Sequence, residues 1–220
     1  ARACEEYQFS KQAAMLWLVN FPGDLFVQCL QAVNMEKLGK KKQAVDQLEN
    51  LIEQDPFFIE PITSLSEIST SKERQAYFES LIAFLMKAPV NPDIKEKWLL
   101  PVWKARIALQ KENFNTANNL IHQSLLDDPP SPIPAVMHLK TAYKMGNLEM
   151  LNNLSEIYLQ KWPRCLQINV IKAISEMNQD QESAAVERLH YVAAHDSAGQ
   201  VITRLMGSQH RFRSLWPDRM

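Results

Sequence analysis

A chain of 220 residues with net charge −1, 46% hydrophobic and 22% charged residues has the composition of an ordinary water-soluble protein. Near-neutral charge gives no electrostatic case for nucleic acid or a membrane surface, and no apolar run approaches the roughly 18 residues that a membrane span needs. Five glycines leave little room for phosphate-binding loops. Cys4, Cys29 and Cys165 have neither C-x-x-C nor tight Cys/His spacing, so they read as buried or incidental thiols in a reducing, cytoplasmic compartment.

In chain order, residues 5–20 (EEYQFSKQAAMLWLVN) carry a helical pattern with Ala13, Ala14, Trp17 and Leu18 as apolar material, stopped by Pro22. Residues 24–38 and 41–54 follow as two helices separated by Leu38-Gly39-Lys40 and closed by Asp55-Pro56, with Asp24 as N-cap of the first. The second has one apolar stripe, Ala44, Val45, Leu48, Leu51 and Ile52. Residues 60–69 and 72–87 form a weaker pair around the turn Ser69-Thr70-Ser71, with Phe78, Leu81, Ile82 and Leu85 as stripe and Glu73 hinting at a capping box. VNPDIKE, at 90–96, is extra material that either lengthens the next helix or forms a loop. Pro101 reads as a first-turn residue of a helix starting near Leu100, with Trp98 and Leu99 packing just before it. Its mate spans 114–127. After the stiff joint DDPPSPIP come pairs at 133–145 with 148–161 and at 166–178 with 181–194, then a capping helix at 197–207. The tail from Gln209 is basic and aromatic. Leu215 and Trp216 are expected to fold back over the last apolar face, with Arg211, Arg213 and Arg219 in water; Arg–phosphate pairing and ring stacking on nucleic acid is the alternative.

Punctuation repeats along this chain. Prolines 22, 56, 89, 129 and 163 follow one another at intervals of 34, 33, 40 and 34. Small residues recur in pairs 12 apart: Ala32 and Ala44, Ala105 and Ala117, Ala173 and Ala185. Gly39 and Gly146 sit 17 before Pro56 and Pro163, where a left-handed helix end suits glycine. Ala32, Gly39, Ala44 and Pro56, with Ala105, Phe114, Ala117 and Pro129, resemble the tetratricopeptide repeat, a 34-residue helix–turn–helix unit. In the third and fourth matching units Leu139 and Leu151 replace the small residues and Ser197 replaces the proline.

The resemblance implies an all-α fold: a right-handed superhelical solenoid of antiparallel helix pairs, spanning 1–220 as one domain. The second helix of a partial repeat occupies 5–22, full repeats run approximately 23–57, 58–96, 97–131, 132–164 and 165–196, and a cap and tail fill 197–220. By register the first helix of the opening pair would precede Ala1. The chain therefore reads either as an excised part of a longer array or as one whose opening helix is a natural cap.

The function expected from such an array is non-catalytic: a scaffold that holds a partner peptide or protein segment in its concave groove, with no cofactor and no metal. No catalytic motif is present. His190 and His195 would sit about 140° apart on a helix, off a common metal face. In tetratricopeptide arrays the first helices line the concave face. Arg106 and Lys140 lie 34 apart on them, Lys144 is a turn beyond, and Trp103 and Tyr143 are close in register. Trp103, Arg106, Lys140, Tyr143 and Lys144 are thus the candidate binding strip, suited to an acidic segment or a terminal carboxylate. Phe26, Cys29 and Val33, if exposed, extend the groove with an apolar floor; in a longer array they would instead face a missing unit. The alternative is a peptide- or ligand-sensing domain of a larger signalling or transcription regulator. An RNA-binding array is disfavoured by the charge and by the lack of a repeated base-reading pair.

Overall fold

The structure is a computed structural model that describes residues 6–213 and Trp216. Among these residues there are twelve helices and no strands: α1 Tyr7–Asn20, α2 Leu25–Lys37, α3 Lys41–Gln54, α4 Ile59–Ile68, α5 Lys72–Leu85, α6 Leu99–Gln110, α7 Phe114–Leu126, α8 Ile133–Lys144, α9 Leu148–Lys161, α10 Leu166–Met177, α11 Glu182–His195 and α12 Gln200–Met206. Nearly all consecutive helices pack tightly on each other, and α2 also meets α4, α6 meets α8, and α8 meets α10. None is long and apolar enough to cross a membrane.

Local chemistry explains the boundaries. The Asp24 carboxylate accepts from Val27 N at 3.2 Å and opens α2. Asn113 and Asn147, one repeat period apart, do the same for α7 and α9 through Thr116 N and Met150 N. Each such cap is worth about 1 kcal/mol. Ser71 caps α5 by accepting from Arg74 N, which leaves Glu73 in the first turn without a capping box. α2 ends where Gly39 takes φ +80°, letting Lys40 N reach Met35 O and Gly39 N reach Glu36 O. These two bonds satisfy carbonyls the helix would otherwise leave open. The same left-handed step recurs at Glu112, Gly146 and Asp180. Gly39, Glu112, Gly146 and Asp180 are spaced by 73, 34 and 34, so one register runs through four of the five helix pairs. The α4–α5 turn lacks the step. Residues 86–98, which include the extra VNPDIKE, form an irregular connection rather than a longer helix, and Val90 and Ile94 tuck against the core. Pro101 does lie in the first turn of α6.

The small-residue pairs are where helices touch. Ala32 and Ala44, Ala105 and Ala117, Ala173 and Ala185, and their equivalents Leu139 and Leu151 are all fully buried between α2 and α3, α6 and α7, α10 and α11, and α8 and α9. A methyl at the crossing permits close approach of two ridges.

The file of helices also meets itself. Asp55, buried in the α3–α4 turn, accepts from Gln167 Nε2 of α10 at 2.7 Å and from Arg204 Nε of α12 at 2.6 Å. Ser197 N, between α11 and α12, donates to Gly23 O at 3.1 Å. Arg164 pairs with Glu53. Phe57 and Leu205 pack on the α8–α9–α10 core. Of the tail, Phe212 and Trp216 are buried, and Trp216 Nε1 donates to Asp196 O at 2.6 Å. Arg211 and Arg213 are exposed, the former 4.7 Å over the Phe212 ring. Leu215, Arg219 and Cys4 lie outside the described residues.

Candidate functional site

The expected strip divides. Trp103 is fully buried, stands edge-on to Phe84 at 5.6 Å, and donates from Nε1 to Ala88 O at 3.2 Å. Arg106 lies 4.9 Å over the Phe84 ring and donates to the carbonyls of Phe84 and Ala88, capping the end of α5. Burial lowers its pKa. Neither side chain is available to a docked segment, because the connection after α5 covers both. Lys140 is half-buried, with Nζ 5.0 Å from the centre of the Phe57 ring. Burial pulls its pKa down, while Asp55 pulls it up and Lys144 down again. Tyr143, 48% exposed, and Lys144 remain on the surface. A continuous cationic trough from α6 to α8 is therefore corrected: the chain's own turns fill it.

The left-handed steps supply the register needed to see what remains open. Adding 73, 107 and 141 to the positions of Phe26, Cys29, Leu30 and Val33 reaches the same row in later pairs. In α6 the row is Leu99, Val102, Trp103 and Arg106. In α8 it is Ile133, Val136, Met137 and Lys140, and in α10 Gln167, Val170, Ile171 and Ile174. All are buried apart from the half-buried Arg106 and Lys140. One repeat period beyond the α2 row stand Glu60, Thr63, Ser64 and Glu67 of α4. These four and the four α2 residues line one open groove of about 270 Å³.

Each row has spacing i, i+3, i+4, i+7, which is one helix face. The α2 side is apolar, with Phe26 53% exposed over Cys29 and Val33. The α4 side is polar, with Glu60 and Glu67 exposed. Sequence reading named Phe26, Cys29 and Val33, of which Phe26 is exposed and the other two are buried, and missed the facing row. Adding the repeat period to each position would have found it.

Other surfaces are less organised. A cleft of about 420 Å³ between α3, α5 and the turns around α8 and α9 is walled by Tyr77, Phe78 and Trp162, but its cations are already engaged: Arg74 with Glu49, and Lys161 with Asp128. α1 exposes Phe9, Met15, Leu16 and Val19. Among the described residues no three His, Cys, Asp or Glu side chains converge to hold a metal. Comparison with protein-family models, curated proteins and solved structures finds no match to the chain.

Proposed function

We propose that this chain is a non-catalytic interaction module, a tetratricopeptide-like right-handed superhelix of antiparallel helix pairs that holds a segment of a partner protein in the groove between α2 and α4. One observation carries the reading. Along the row of first-helix residues that the fold buries in α6, α8 and α10 apart from Arg106 and Lys140, Phe26 of α2 and Glu60 and Glu67 of α4 are exposed and Leu30, Thr63 and Ser64 are half-buried, so the groove has a large aromatic side chain at its mouth above the buried Cys29 and Val33. Uncovered apolar surface flanked by polar groups is the usual signature of a protein-binding site. A groove formed by two packed helices is also largely preformed, so little ordering cost accompanies binding.

The test is a Phe26→Asp variant compared with the wild-type chain in affinity capture from the source cell, with circular dichroism on both. Proteins retained by the wild type and lost by an equally helical variant support the groove. An unchanged set of retained proteins moves binding elsewhere on the molecule.

A further inference from the structure

The two walls of the groove differ in chemistry, and the difference selects an occupant. Resting on the groove reading above, we propose that the segment it takes is a basic amphipathic helix, with one apolar stripe and with Lys or Arg side chains about two helical turns apart along the stripe's edge. The apolar stripe would lie on Phe26 and Leu30 of α2. The cations would meet Glu60 and Glu67 of α4, which stand two turns, or about 10 Å, apart on one face.

The charges around the groove point this way. Glu60 and Glu67 are exposed, and neither is in an ion pair among the described residues. Lys37 feels the charge of Glu67, but its ammonium is held by Glu36 at 3.1 Å. The charged residues that line the groove are thus two carboxylates, Glu60 and Glu67. Glu60 is in the first turn of α4, where the helix dipole welcomes an anion. Glu67 is in the last turn, where the dipole opposes one, so the helix itself gives no reason for a carboxylate there. An acidic segment would meet like charge on this wall. A wholly apolar one would leave the carboxylates beside it without counter-charge.

The ten residues of α4 span about 15 Å, enough to flank a helix of similar length laid alongside. The apolar contacts supply most of the affinity of such a complex, and the exposed ion pairs mainly set which segment is accepted.

Two synthetic helical peptides test this. They share one leucine–phenylalanine stripe and differ only in carrying Lys or Glu at the two flanking positions. Binding of each to the full chain is read by calorimetry at low and high salt. The Lys peptide is expected to bind about ten-fold more tightly at low salt, with the gap narrowing as salt rises. Glu60→Gln with Glu67→Gln should remove the preference, and Glu60→Lys with Glu67→Lys should invert it. Equal binding of the two peptides, or a preference that survives both double variants, overturns the proposal. If both peptides bind alike and both are lost with Phe26→Asp, the groove stands and its preference for cations falls. If neither binds, the basic-helix assignment falls, and the groove is judged by the capture experiment alone.

Discussion

Glu112 holds φ +56° in the turn between α6 and α7, the position that Gly39 and Gly146 hold in equivalent turns. A side chain in this region crowds its own carbonyl by about 1–2 kcal/mol, whereas glycine is free of the clash but gives up more unfolded-state entropy. Glu112 N still reaches Leu109 O and Asn113 N reaches Ala108 O, so the turn forms in spite of the strain. Glu112→Gly should therefore raise stability by a net of about 0.5–1 kcal/mol, read as an increased urea midpoint. A midpoint at or below the wild-type value would mean that the backbone is not strained there.

At the scale of helices, α8 is tied to both neighbours through one imidazole. His138 Nε2 donates to Asn118 Oδ1 of α7 at 2.7 Å, and Nδ1 accepts from the Tyr158 hydroxyl of α9 at 2.6 Å. This arrangement needs the neutral ring. Burial, with a smaller contribution from His122, pushes the His138 pKa down from 6.5 to about 4. Above pH 6.5 the ring is neutral folded or unfolded and the layer is at full strength. As pH falls from 6.5 towards 4 the unfolded chain takes up the proton and the folded chain resists, so stability drops by about 3 kcal/mol in total. Asp196 works in the opposite sense. Burial raises it to about 7, although Gln200, Val201 and Ile202 donate backbone N–H groups to it, so its share of stability grows as pH falls below 7. His138→Gln keeps Asp196 and removes only the first effect. Between pH 7 and 4 the wild type should lose about 3 kcal/mol more stability than His138→Gln, as read from urea unfolding. Parallel curves would assign the acid limb to other groups.

For the whole molecule, the decisive contact joins residues far apart in sequence. Gly23 faces the turn after α11 so closely that a Cβ would stand 2.5 Å from Ala194 O and 2.7 Å from Ser197 N. Both obstacles are backbone atoms and cannot swing aside. Gly23 is not among the positive-φ residues, so alanine is acceptable to its own backbone and the full cost comes from this contact. Gly23→Ala should destabilise the chain by about 1–3 kcal/mol and loosen the Asp55 anchor to Gln167 and Arg204. Urea unfolding reads the loss, and hydrogen exchange at α12 reads the loosening. Wild-type behaviour in both measurements would show that the two ends of the file do not depend on each other.

The sequence by itself determined the helices, their pairing and their crossing points. Proline stops, glycine turns, Asn and Asp caps and alanine contacts act within one or two turns of chain, so their period survives in a linear reading. Ala44 and Ala117 were legible because a small side chain has one use at a helix crossing. Trp103, Arg106 and Lys140 were not, because they lie on the same helix face as the equivalents of Phe26 and Leu30, and nothing local distinguishes a covered stretch of that face from an open one. The cover comes from Ala88, in the irregular connection just before α6, for Trp103 and Arg106, and from Phe57, in the turn between α3 and α4 and far away in sequence, for Lys140. Tertiary structure alone decided which part of a repeated face meets solvent, since burial depends on what arrives from elsewhere in the chain.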